Sequence, residues 1–435
     1  MNARHILLLL LFSASSASSQ SADSLVQEAL KNNPQVAAHD YRIQASDSRA
    51  RSAGAWPAPS IGLELSQIPT TGGNPFSGAT SNNFSISQMF MLGGKLSAMS
   101  EVEKKRSRLL DENRAAFRVE LRGRVKMTYY RLWLLDRQIE VGERTLRTLH
   151  GLVEAMRWKV MTNRVAQADL LSIQAEAAAV EARLKDKRAE RRGLLNTLNA
   201  LLGRDDVQEE VETVSIPEAP DIQGARRDLL ERVTSRNPSL LAMDRMTEMN
   251  EAMIDAAEKD LVPDLMVQAM VMRMPNGMIL TSGSRSVEAI QHSAMGMPMQ
   301  KTEWMYGIMA SITLPFVPWA SERSAAKADE MRTANLGIAA ERDAMQREMT
   351  AALHTALTTY AAKDSLAREY RASILPLARQ SAEAQTIAYQ NGNAPLTAVL
   401  DARRMELMRE DEFFMVIMDR EMALIQVEMM TGEPL

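Results

Sequence analysis

The apolar positions of this chain change their spacing in a set order, and the order occurs twice. Ser24-Leu25-Val26-Gln27-Glu28-Ala29 runs to Asn33-Pro34, and Asp228-Leu229-Leu230-Glu231-Arg232-Val233 runs to Asn237-Pro238. Each introduces an Ala-rich, charged stretch of helical character that stops at proline: Pro57 and Pro59 in one half, Pro263 in the other. Alternation then replaces it. Residues 60–68 and 82–90, and again 265–274 and 303–314, flank loops of Gly, Pro, Ser and Asn, the pattern of a β-hairpin with a long connection. The returning strands match as Ser85-Ile86-Ser87-Gln88-Met89-Phe90 against Ser311-Ile312-Thr313-Leu314-Pro315-Phe316.

Long helices follow both pairs. Residues 95–161 contain no proline, and at about 1.5 Å per residue they make a helix roughly 100 Å long, too long for a compact globule. The counterpart, 321–390, carries Pro376, which is expected to break or kink it. Each long helix turns at a polar tip, Thr162-Asn163-Arg164 or Asn391-Gly392-Asn393, and a second helix returns. The acidic, proline-containing segment between the halves reads as a linker. The predicted organisation is a first structural repeat over 20–203, a linker over 204–224 and a second repeat over 225–435.

Within the strands, Ile61, Leu63 and Leu65 share one face, with Gly62, Glu64 and Ser66 on the other. Trp304, Tyr306, Ile308, Ala310, Ile312 and Leu314 likewise oppose Glu303, Met305, Gly307, Met309, Ser311 and Thr313. A sheet in lipid has no free edge, and four strands cannot close one, so two or three copies are needed to give eight or twelve.

Composition narrows the compartment. Met1 to His5 is basic, Ile6 to Phe12 is an unbroken apolar run, and small residues follow, so 1–19 reads as a secretory signal peptide. The absence of cysteine removes thiolate metal sites and catalytic thiols, and the few aromatics and glycines suit long helices. A net charge of -4 gives no basic field for nucleic acid.

The repeat of helix, strand pair, long helix, tip and return helix resembles the TolC-like outer-membrane efflux family over nearly the whole mature chain. Ser87-Gln88-Met89-Phe90-Met91-Leu92-Gly93-Gly94-Lys95 is similar to the strand-to-helix passage of its heavy-metal branch. Tyr389-Gln390-Asn391-Gly392 with Leu396 to Ala402 is similar to its periplasmic tip. The resemblance implies a mostly α chain with a β membrane part. It would form a homotrimer with a twelve-stranded barrel in the cell outer membrane, continuous with a periplasmic helical tunnel. It further implies a conduit, not an enzyme, serving an inner-membrane pump of the RND type through a periplasmic adaptor protein docked at Asn163, Arg164, Asn391 and Gly392. Carried over residue by residue, the gate would comprise Asp401, Tyr389 and Asp169, while Ala394 and Ala398 depart from the family pattern. On a three-fold axis Asp401 would form a cation-attracting ring.

No catalytic constellation stands against that reading. Gly93-Gly94-Lys95 fails as a phosphate loop because Leu96 replaces the hydroxyl residue and Met89 the first glycine. His5, His39, His150, His292 and His354 are scattered, and no cofactor is expected.

Methionine changes the picture once more. Ten of the 31 fall between Met266 and Met309. Met266, Met270, Met272, Met274, Met305 and Met309 alternate with apolar residues and occupy the row opposite them; Met278, His292, Met295, Met297 and Met299 lie in the connecting loop. Thioethers select Cu(I) and Ag(I) over hard ions, which makes Met270, Met272, Met274, Met278, His292, Met295, Met297, Met299, Met305 and Met309 candidates for transient metal contact. Met243, Met246, Met249 and Met253, spaced along one helix, read as packing. Copper or silver export is the expected function; conduction of drugs or secreted polypeptides, and a periplasmic coiled-coil adaptor, are the alternatives.

Overall fold

The computed structural model describes residues 21–435 except 67, 69, 71–73, 80, 163–165, 215, 217–219, 221, 223, 225 and 275–301. The signal-peptide segment 1–19 lies outside the described residues. In chain order the elements are α1 (Ala22–Asn32), α2 (Pro34–Ala53), β1 (Ser60–Ser66), α3 (Pro75–Gly78), β2 (Ser81–Met91), α4 (Lys95–Met161) and α5 (Gln167–Leu202). After these come α6 (Arg226–Arg236), α7 (Pro238–Lys259), β3 (Asp264–Met274), β4 (Glu303–Ile312), α8 (Pro318–Glu369), α9 (Leu375–Gln390) and α10 (Leu396–Thr431). The chain divides into two units, one taking in 111–242 and 342–435 with the N-terminal residues to 41, the other 42–110 and 243–341.

The first unit is helical. Leu25 and Ala29 of α1, Leu121, Val125 and Leu132 of α4, and Leu198 and Leu202 of α5 form one core cluster. Leu229 and Val233 of α6, Leu353 and Ala356 of α8, and Val427 of α10 form another. The Asn-Pro steps explain how the short helices are fastened. Asn33 donates its Nδ2 to Leu201 O and accepts from Gln35 N, both at 2.8 Å. Asn237 donates to Met430 O at 2.8 Å and accepts from Ser239 N at 2.9 Å. A buried amide thus caps one helix while satisfying a carbonyl at the end of another. The facing helix ends each carry a left-handed glycine, Gly203 at φ +75° and Gly432 at φ +78°. A Cβ there would lie 2.6 Å from Asn32 O or 3.1 Å from Pro238 Cδ, so the close approach requires glycine.

Pro376 does not break its helix. A π-helical turn, Tyr370–Ile374, precedes it, and Leu375 N–H bonds back to Tyr370 O, five residues earlier. The widened turn comes where the proline lacks an N–H and crowds the preceding turn, and helical backbone continues from α8 into α9. Two described residues of the predicted linker are fastened to helices: Tyr129 Oη accepts from Val214 N at 2.9 Å, and Tyr360 Oη donates to Pro220 O at 2.6 Å.

The second unit contains a four-stranded antiparallel sheet in the order β1-β2-β3-β4, with β2 joining the two hairpins. Its strands are shorter than the alternation predicted at two ends, with β1 stopping at Ser66 and β4 at Ile312. Beyond Ile312, Thr313 closes the ladder by exchanging bonds with the backbone of Asp264, and Pro315 has no N–H to extend it. At the β2–α4 corner Gly93 and Gly94 take positive φ, and Lys95 Nζ lies 2.8 Å from Asp264. Among the described residues no helix is long and apolar enough to cross a membrane.

Candidate functional site

Two groups of residues carry chemistry, one in each unit. In the helical unit, α4 and α9 end, and α5 and α10 begin, around Leu149, Val153, Met156, Ile173, Leu396 and Leu400. Tyr389 packs on this cluster and donates its hydroxyl to Met156 Sδ at 3.0 Å, with Lys159 Nζ 4.7 Å from the centre of its ring. Burial raises the phenol's pKa, and the charge of Asp169 in the first turn of α5 adds to the rise. Asp169 and Tyr389 are therefore electrostatic neighbours, while the phenol donates its hydrogen bond to sulfur.

Asp401 lies in the second turn of α10 with a side chain 72% exposed, 3.5 Å from Arg404 Nη1. Arg404 in turn forks onto Glu176 of α5, its Nε 3.2 Å from Oε1. That hydrogen bond is the main cause that holds the Glu176 carboxyl below the ordinary glutamate value. Sequence reasoning missed this clasp. Its signal was available: Glu176 stands seven residues after Asp169, on the same helix face, and Arg404 three after Asp401. Asn391 and Gly392 form the turn that ends α9, with Gly392 at φ +77°. Asn163 and Arg164 lie outside the described residues.

In the sheet unit, register sorts every strand into two faces. One is mainly apolar, with Asn82, Gln88 and Arg273 as its polar members: Ile61↔Ile86, Ile86↔Ala269 and Ala269↔Ile308 run straight across it, followed by Leu63↔Phe84, Phe84↔Val271 and Val271↔Tyr306. These side chains stand open in a single chain, with Tyr306 92%, Ile61 85% and Ile308 81% exposed. The other face carries Ser and Asn on β2 and methionine on β3 and β4. Met272 is directly opposite Met305, Met270 opposite Gly307, Met309 opposite Gln268 and Met274 opposite Glu303. Met266 pairs with Met89 of β2, and Met91 shares that row. Met89 and Met91 join the methionine face without having been singled out from the sequence, although the alternation Ser85, Ser87, Met89, Met91 contains them. Met278, His292, Met295, Met297 and Met299 lie outside the described residues. Among the described residues no group of three or more His, Cys, Asp and Glu could hold a metal.

Known proteins agree with this architecture. A crystal structure of CusC superposes with a TM-score of 0.71 at 17% identity, over 95% of this chain and 92% of that one. A membrane protein from Pseudomonas aeruginosa gives 0.74 at 16% identity over 95% and 90%. The Campylobacter jejuni CmeC outer membrane channel gives 0.72 at 13% over 94% and 85%. At these identities the likeness is one of fold. No curated protein matches the sequence. The Outer membrane efflux protein family matches residues 25–204 and 229–433, which is nearly all of the described chain, and the protein belongs to that family.

Proposed function

We propose that this outer-membrane efflux protein is a passive conduit for Cu(I) or Ag(I). Three copies would close a twelve-stranded barrel and a periplasmic helical tunnel, fed by an RND-type pump through an adaptor at the tips. The observation that carries the reading is the division of the sheet: an exposed, mainly apolar face, suited to lipid, backs a face on which β3 and β4 carry six thioethers. A filler side chain has no reason to avoid the lipid face. The open edges at β1 and β4 favour closure by further copies, three of which give twelve strands. The matched Asn33 and Asn237 geometry supports two internal repeats, 20–203 and 225–435, joined over 204–224; the basic start and apolar run of 1–19 are the basis for a cleaved leader ahead of them. In the trimer Asp401 would form a ring at the tip, with Tyr389, Asp169 and the Arg404–Glu176 clasp governing its width.

The test replaces Met270, Met272, Met274, Met295, Met297 and Met299 together with leucine in cells that keep the native pump and adaptor. Such swaps typically cost under about 1.5 kcal/mol each, so assembly is retained. Greater sensitivity to Cu(I) or Ag(I), with normal amounts of protein in the outer membrane, is the expected result. Unchanged resistance refutes the metal assignment and leaves a conduit for drugs or polypeptides.

A further inference from the structure

The geometry points to one defined three-sulfur site on each chain, made by Met270, Met272 and Met305, able to hold a single Cu(I) or Ag(I) ion. This inference rests on the reading of the methionine face as the surface the exported ion meets, and it commits that face to a particular coordination.

Four positions form the corners of a cross-strand box: Met270 and Met272 on β3, and Gly307 and Met305 opposite them on β4. Directly opposed residues hold their Cβ atoms about 5 Å apart, and diagonal ones about 7–8 Å. Neighbours two along a strand stand about 6.6 Å apart on the same face. Every pair among the three methionines falls inside those limits, so three flexible arms can bring their sulfurs onto one point between them. The fourth corner keeps the space open. A Cβ built on Gly307 would lie 3.3 Å from Met270 Cγ and 3.7 Å from its Sδ, so the Met270 side chain leans over the glycine. A bulkier residue there would contest the place the thioether takes.

Two further methionine trios meet the same limits, but each has an acidic residue at its fourth corner in place of a glycine: Met89, Met91 and Met266 share a box with Asp264, which bonds Lys95, and Met272, Met274 and Met305 share one with Glu303. Only the box with Gly307 leaves its fourth corner open for a thioether to lean across. Met309 is a diagonal neighbour of both Met266 and Met270, which are themselves about 13 Å apart along the strand. Soft, neutral donors bind a soft monovalent ion without trapping it, since no charge is neutralised and no proton is released. That suits a site from which an ion must leave again.

The test uses the detergent-purified full chain and Cu(I) buffered by a chromogenic chelator under anaerobic reductant. X-ray absorption of the loaded protein reports the number of sulfur neighbours. One tight Cu(I) per chain with three sulfur neighbours is expected. Met270→Leu, Met272→Leu and Met305→Leu should each weaken it by at least about 10- to 100-fold, the loss known for residues that merely support a ligand. Met246→Leu, on α7 and 41% exposed, leaves affinity unchanged. Gly307→Val should weaken binding with all sulfurs present, its fold checked by the elution and circular dichroism of the assembled protein. Absence of stoichiometric Cu(I), fewer than three sulfur neighbours, or a triple-leucine variant that binds as tightly as the parent overturns the site. Cellular resistance reads the export proposal separately: a Cu(I) site that is lost in the variant with no change in resistance leaves the site standing and removes the metal-export reading.

Discussion

The buried pair between Lys126 and Glu428 gives a measurable account of how α4 is fastened to α10. Lys126 Nζ donates to both Glu428 carboxylate oxygens at 2.9 Å, with 10% and 4% of the two side chains exposed. Leu435 N donates to the same carboxylate at 3.1 Å, and Asp23 of α1, at 3.1 Å and 78% exposed, is a second partner for the lysine. Glu428→Leu leaves the ammonium with Asp23, which water screens, and with the more distant charge of buried Glu421. Removing one member of a buried pair costs about 3–5 kcal/mol, and Asp23 puts this case near the lower end, about 3 kcal/mol. Lys126→Met leaves the carboxylate with one backbone donor, a loss of the same order.

Replacing both residues, as Lys126→Met with Glu428→Leu, removes both desolvated charges and substitutes apolar contact of similar volume. Such replacements are often neutral or stabilising, so the double variant is expected within about 1 kcal/mol of the parent. The interaction energy from the cycle is then several kcal/mol, far above the additivity error of about 0.5 kcal/mol. Urea unfolding of the detergent-extracted protein, followed by far-ultraviolet circular dichroism, measures all four forms. A double variant whose loss equals the sum of the two single losses would refute the argument, because the charges would then be acting independently.

Three further outcomes are expected. Because Arg404 holds the Glu176 carboxyl below the ordinary glutamate value, the clasp contributes stability above that ordinary value and loses it as pH falls through the depressed one; wild type and Glu176→Gln should therefore differ at neutral pH and converge in strong acid when tip unfolding is followed by limited proteolysis. Asp401→Asn should lower cation preference in single-channel recordings, whereas unchanged selectivity would make Asp401 an ordinary solvated side chain. Gly203→Ala, at φ +75° with its Cβ 2.6 Å from Asn32 O, should cost at least about 1–2 kcal/mol in unfolding, while Gly151→Ala, with nothing within 4 Å in α4, should not destabilise.

How far the sequence revealed this molecule depended on how local each signal was. Helix α4 was legible residue for residue because nothing between Lys95 and Met161 interrupts it. The strand pairs were legible because alternation is a two-residue property, yet their ends were not, since Thr313 ends β4 through a tertiary bond to Asp264. How the chain meets Pro376 was not legible for the same reason: its penalty is local, but the π turn that accommodates it begins six residues earlier and packs Tyr370 against Phe413. The Arg404–Glu176 clasp joins positions 228 apart in sequence and needs the fold to be seen.

The methionine face shows what register adds to periodicity. Alternation alone assigned six strand methionines to one row, but it could not say which of them meet, because a one-residue slip of β4 against β3 would send Met305 and Met309 to the face of Tyr306 and Ile308. The observed pairing removes that freedom. It also explains why the slip is resisted: the face with Tyr306, Ile308 and Ile61 is almost wholly uncovered in one chain, so its free energy depends on an apolar surrounding. A slip that put thioethers into that surrounding would push Glu303 and Ser311 there with them, uncompensated. Lipid, by penalising polar groups on one face, would thereby hold the sulfurs together on the other, and the three-sulfur box would inherit its alignment from residues that never touch an ion.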